Sequence, residues 1–243
     1  MAKFCTKCGK KLEDGKKCDC TKGVTKTSTK EEVVVASSSA NDIVNSIIDV
    51  VKGIFVKPID TIRKYTDDNN MLLGFILMAI NSLITGIMVY FLAKESMGMI
   101  TSMMGFGSLY SLGSASIEVP FFKVVGYTFL IMAVYFVVLA FASYLVSNKL
   151  FKADTTWKKM VASVGVCSML TSMTSIVAII CIYISMKVFA IVVMLALVLF
   201  LGYYYHSIKV SSDIDENKQG YTFVSALAIA LFVALYILPK ILF

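Results

Sequence analysis

Five stretches of this chain, residues 71–93, 124–148, 160–186, 188–206 and 221–239, contain no aspartate, glutamate, lysine or arginine. Each approaches or exceeds the roughly 20 residues that a helix needs to cross a hydrocarbon core about 30 Å thick. A helix on the surface of a soluble domain would show a polar face every three to four residues, and these runs do not. Lipid is therefore the predicted solvent for the bulk of the chain. It offers the backbone no hydrogen-bond partner, so each run is predicted to be a helix that satisfies its own amides and carbonyls. Overall 58% of the 243 residues are apolar and 16% charged, the charges lying almost wholly between or before the runs.

The 47 residues from Met160 to His206 are interrupted by one charge, Lys187. A single helix of that length would fit no bilayer, so a turn is predicted between Tyr183 and Lys187. Orientation follows from lysine and arginine in the flanks. With the N-terminus inside, 19 of the 23 basic residues fall on the cytosolic side; Lys94, Lys123, Lys187 and Lys240 fall outside. The prediction is five spans, N-terminus cytoplasmic and C-terminus extracytoplasmic. The N-terminus has no apolar core of a cleavable signal peptide, so the first span is expected to serve as its own insertion signal.

The fold class predicted is an all-α polytopic membrane protein whose five transmembrane helices are preceded by an amphipathic helix and a small head. Its divisions are a head at 1–20, a Thr-, Ser- and Lys-rich flexible linker at 21–40, amphipathic interfacial helices at 41–66 and the transmembrane domain at 67–243. Within 41–66, Ile43, Ile47, Val50, Val51, Ile54 and Phe55 recur at helical spacing, and Pro58 is placed to begin a second short helix carrying Ile59, Ile62 and Tyr65. Lys52, Lys57, Arg63 and Lys64 make this piece too polar to span. It is expected to lie in the cytosolic headgroup layer or across the base of the bundle.

The head carries the sharpest chemical signal. Cys5 and Cys8 are two residues apart and followed by Gly9; Cys18 and Cys20 form a second pair. A tight turn after the first pair lets backbone amides face the thiolates, and four thiolates make a closed tetrahedral set for one structural zinc ion. On the reducing side of a membrane such clustered cysteines favour metal over disulfides. The second pair is one residue shorter in its spacing than the usual ribbon, so a degenerate ribbon that holds metal poorly is the alternative. Nine lysines in residues 1–30 favour attraction to anionic lipid headgroups, worth about 1 kcal/mol per lysine near the surface. They equally suit a solvated face that keeps a tiny domain soluble. Nucleic acid is disfavoured, because Phe4 is the one aromatic residue available for stacking there.

Inside the membrane, Gly165, Ser168, Ser172 and Ser175 share a stripe of the third span, with Cys167, Thr171 and Thr174 beside it. Small residues let backbones approach and hydroxyls bond across helices. Packing is the favoured role over a polar path, since no span holds an ionisable carboxylate or ammonium. Asn81, Ser82 and Gly86 of the first span read the same way, and Cys167 and Cys181 read as small packing residues. The methionines at 97, 99, 103 and 104 offer soft-metal ligands, but Met as filler of an outer-leaflet segment is the simpler reading. His206 follows three tyrosines at the inner interface, where an aromatic belt is expected. No nucleophile elbow, phosphate loop or zinc-protease motif occurs, and no enzyme is predicted.

The ribbon CTKCGKKLEDGKKCDC, the lead-in FVKPIDTIRKY, the loop FKADTTWKKM and the connection YYYHSIKVSSDIDENKQGYTF before the last span resemble, in that architecture, the bacterial branch of the Yip family of Rab-interactor-type membrane domains, here joined to a zinc ribbon. The resemblance implies a non-enzymatic integral membrane scaffold or adaptor, in a bacterial cell membrane, that binds partners, shapes bilayers or assists insertion and traffic. The eukaryotic family's aspartate-leucine-tyrosine-glycine-proline signature is absent, so neither GTPase binding nor any site residue transfers. The partners expected are the lipid bilayer, a protein whose identity the sequence does not give, anionic headgroups and a second copy of the chain. A small-molecule or lipid transporter and a metal-responsive membrane regulator are the alternative functions.

Overall fold

The structure is a computed structural model that describes residues 3–4, 11–12, 40–103, 119–237 and 240. The chain divides into two units, Met1–Ser38 and Ser39–Phe243.

In the first unit, β1 (Lys3–Phe4) pairs antiparallel with β2 (Lys11–Leu12), Lys3 opposite Leu12 and Phe4 opposite Lys11. The six residues connecting these strands in sequence include Cys5, Cys8 and Gly9. The four cysteines assigned to zinc, Cys5, Cys8, Cys18 and Cys20, lie outside the described residues, as does the linker up to residue 39.

The second unit begins with α1 (Ala40–Val56) and α2 (Pro58–Tyr65). In α1 the apolar set Ile47, Val50, Val51 and Ile54, spaced three and four residues apart, turns onto the rest of the unit, with Val50 and Ile54 fully buried. Pro58 stands at the first turn of α2, where its missing N–H is not needed. The two helices fold against each other at Gly53, where an added Cβ would strike the Thr61 hydroxyl. Tyr65 and Lys64 of α2 reach back to Asp49 of α1, at 3.4 Å from the phenol and 3.5 Å from the ammonium. The neighbouring Tyr65 phenol, ahead of Asp49, holds the exposed Lys64 ammonium above its usual pKa. Ile62 and Tyr65 bury themselves in the unit's core, where α2 packs on two of the helices that follow.

Those helices are α3 (Met71–Met103), α4 (Phe121–Leu145), α5 (Trp157–Ile184), α6 (Met186–Ser212) and α7 (Glu216–Phe232). Single π-helical turns extend α4 to Leu150 and α7 to Ile237. Among the described residues these five are long and apolar enough to cross a membrane. The break between α5 and α6 falls at Ser185, which is extended at φ −168° and ψ 133° and caps the Lys187 amide with its hydroxyl. At the end of α6 the chain reverses through Asp213, whose φ of 45° is left-handed. The one marked difference from the expected spans is α3, which continues to Met103, ten residues beyond its charge-free stretch. Lys94 and Glu95 do not stop it, because a helix end leaving lipid tolerates charge.

The core centres on α5. It packs along α3, α6 and α4, and 61% of its apolar segment is buried inside the protein, against 11% for α6. The outer faces carry Ile180, Ile191, Met194, Val198, Val224 and Leu235, all more than half exposed, as lipid-facing residues are.

Candidate functional site

The polar chemistry of the membrane-spanning helices gathers on α5, and its origin is close backbone approach. At the α3–α5 crossing a Cβ built on Gly165 would sit 2.5 Å from the Gly74 Cα, and one on Gly74 would sit 2.6 Å from the Val161 carbonyl oxygen. The helices meet backbone to backbone, so glycine is required on both sides. At the head of the same pair, Thr156 caps α5 by accepting from the Lys159 amide and donates its hydroxyl proton to the Asp68 carboxylate, just before α3.

One and two turns beyond the crossing, Ser168 and Ser172 of the predicted stripe and Thr171 and Thr174 beside it are hydrogen-bonded, while Ser175 lines a cavity. Ser168 and Ser172 are wholly buried. Ser168 donates to the Gly165 carbonyl at 2.7 Å. Thr171 and Ser172 face the Asn81 side-chain oxygen at 3.0 and 2.9 Å, and each also has the Ser168 carbonyl in reach. Thr174 turns back to the Leu170 and Thr171 carbonyls. On the other flank of α5, Ser163 and Cys167 donate to the α6 carbonyls of Ser207 and Tyr203. Thr155, just ahead of α5, donates to the Ser211 carbonyl at 2.8 Å. The acceptors run backwards as the donors run forwards, the signature of two antiparallel helices joined by rungs.

Two further contacts close the bundle. Ser143 of α4 and Tyr204 of α6, both fully buried, stand 2.7 Å apart. Ser143 gives its one proton to the Leu139 carbonyl at 2.6 Å, so the Tyr204 phenol is the donor between them. Gln219 of α7 donates to the Tyr205 carbonyl at 2.6 Å.

One part of the network is incomplete. Asn81 is 1% exposed, and its Nδ2 has no partner. Turning the amide over would pair Nδ2 with the two hydroxyls and strand the oxygen instead, so one end is alone in either setting. A buried amide group without a partner costs about 1–3 kcal/mol. Asn81 borders a cavity of about 380 Å³ lined by all five long helices, with Thr85, Tyr135, Thr174, Phe200 and Leu231 among its walls. Sequence reasoning found Asn81 and the hydroxyl stripe but not the cavity. The signal for it lay in residues on four other helices that no local pattern connects.

His206 lies where the sequence places it, near the end of α6, in a cleft with Arg63, Lys209, Asp213, Glu216 and Gln219. Its Nε2 is buried without a partner. Lys209 pairs with Glu216 at 3.7 Å. Among the described residues no three His, Cys, Asp or Glu side chains come together as metal ligands. Cys167 and Cys181 are buried free thiols packed between helices.

Long apolar helices joined by backbone-to-backbone crossings and interhelical hydroxyl bonds define the second unit as the helical body of an integral membrane protein. Residues 52–238 match the Yip1 domain, and the chain belongs to that family. The expected resemblance to Yip-type membrane domains is met at this level. Neither the curated proteins nor the solved structures contain a match to the chain.

Proposed function

We propose that this Yip1-domain protein is a non-enzymatic membrane scaffold or adaptor, anchored by its five spans and presenting a zinc-bound head to the cytosol. The observation that carries this reading is the use of Ser168 and Ser172: both are fully buried and hydrogen-bonded within the α3–α5 contact, where a substrate path would need them open. With no charged side chain in the five stretches, the bundle also lacks a proton or ion relay.

In the head, Cys5, Cys8, Cys18 and Cys20 would hold one structural zinc ion. The β1–β2 pairing supports this, since it joins the strands on either side of the first cysteine pair. A linker of about 20 residues reaches roughly 25 Å and keeps whatever the head binds at high local concentration. α1 adds a second surface. Val44, Ile48 and Phe55 form an exposed apolar stripe flanked by Lys52 and Lys57, the pattern of a helix in an anionic headgroup layer.

The test compares partners crosslinked to the intact protein in membranes with those of a variant lacking residues 1–20. A defined partner lost with the head supports the adaptor. Solute flux in reconstituted vesicles that survives removal of the head but is abolished by Ser168→Leu and Ser172→Leu would establish a transporter in its place.

A further inference from the structure

The cavity beside Asn81 has three properties that together name a ligand. It is bounded by apolar side chains from all five helices and by no charged residue. Its rim includes Leu197, Leu231 and Leu235, each about half exposed or more on surface that lipid covers, so it opens sideways into the bilayer. Asn81, one end of whose buried amide is unpaired, is among its walls, together with the hydroxyl residues Thr85, Tyr135 and Ser175. Asn81 lies ten residues into α3, about 15 Å along the helix, and Leu197 eleven residues into α6, about 17 Å; both are near the middle of a core of roughly 30 Å.

Depth and lining exclude most occupants. A phospholipid headgroup would bring a phosphate to mid-membrane with no cation to meet it. Water could use the hydroxyls of Thr85, Tyr135 and Ser175, but it would leave the apolar walls of Met88, Met132, Val193 and Leu197 wet and uncovered. A bare acyl chain fills the apolar space but leaves the amide alone. The volume lies within the range of small-molecule pockets.

We propose that this cavity binds an uncharged lipid bearing a free hydroxyl beside an ester, the chemistry of a diacylglycerol. The hydroxyl and ester carbonyl supply a donor and an acceptor for the unpaired end of Asn81, and the acyl chains leave past Leu197, Leu231 and Leu235 into the bilayer. The site shares Asn81 with the α3–α5 contact, but the scaffold reading is tested on the head and on Ser168 and Ser172, so the two can fail separately.

The experiment uses the intact protein in phosphatidylcholine nanodiscs with a diacylglycerol carrying a diazirine in one acyl chain. Photolabelling should map by peptide mass spectrometry to Met132, Leu197 and Leu231, and excess dioleoylglycerol should compete it away. A long-chain alkane, which offers the amide neither a donor nor an acceptor, should not. Asn81→Leu should lower the competable labelling about fivefold, the loss expected of one ordinary hydrogen bond. Its fold is protected because Thr171 and Ser172 keep the Ser168 carbonyl. Ala196→Phe, which fills the cavity, should abolish labelling; Leu130→Phe on the lipid face should not change it. Labelling spread evenly over lipid-facing residues such as Leu195 and Val198, equal competition by the alkane, or labelling indifferent to Asn81→Leu would each overturn the proposal.

Discussion

Gly74 and Gly165 stand back to back across the α3–α5 crossing, with room for a side chain on neither. The atoms a Cβ would meet belong to backbone, which cannot swing aside. Overpacking costs about 1–3 kcal/mol, and a contact this short belongs at the upper end. Alanine returns about 1 kcal/mol of helix propensity. Gly165→Ala should therefore destabilise the bundle by about 2 kcal/mol, measured as unfolding in mixed detergent–SDS micelles. Gly202→Ala, whose Cβ meets nothing within 4 Å, should be neutral or slightly stabilising.

The Tyr204–Ser143 pair predicts an asymmetry. Tyr204→Phe removes one hydrogen bond and leaves Ser143 still bonded to Leu139, a loss of about 1 kcal/mol. Ser143→Ala strands the buried phenol and should cost more, about 1–3 kcal/mol. The double variant should lose less than the sum of the two. Unfolding free energies in a double-mutant cycle check this, and equal single losses with strict additivity would refute the donor assignment.

The five spans were legible because lipid forbids charge over some twenty residues, and that constraint is written in every run from Met71 to Pro239. The packing role of Gly165, Ser168 and Ser172 was legible because small and hydroxyl residues are otherwise out of place there. Which apolar residues face protein was not. Leu77 is fully buried and Leu195 is 55% exposed, yet both sit in uniformly apolar helices, since a lipid tail and a leucine neighbour are the same solvent to a leucine. The central place of α5, the pairing of Tyr204 with Ser143 and the cavity beside Asn81 all depend on that missing distinction. The extension of α3 to Met103 was hidden for another reason, because charge ends a span without ending a helix.

The sidedness that the basic residues predict can be tested directly. Single cysteines at Lys240, Lys218 and Lys152 should separate under an impermeant maleimide applied to intact cells. Lys240→Cys should label directly, and Lys218→Cys and Lys152→Cys only after permeabilisation. The reverse pattern would invert the topology. Cys5, Cys8, Cys18 and Cys20 are replaced by serine in this background, and Cys167 and Cys181 are buried and contribute little.

Zinc in the head can be tested apart from the bundle. With residues 1–38 a unit of their own, and too few to build an apolar core, the folding of the head should rest on metal, whose apparent binding in zinc-finger peptides is on the order of 10–16 kcal/mol. The purified protein should carry one zinc ion per chain by elemental analysis. Cys5→Ser with Cys8→Ser should remove it, and Cys18→Ser with Cys20→Ser should do the same if the one-residue spacing of the second pair still closes the site. The bundle's unfolding midpoint should stay within measurement error in both, because the buried contacts described above all lie beyond residue 40. Full zinc retention after loss of the second pair would mean that Cys18 and Cys20 are not ligands, and absence of zinc from the intact protein would mean that the ribbon is degenerate.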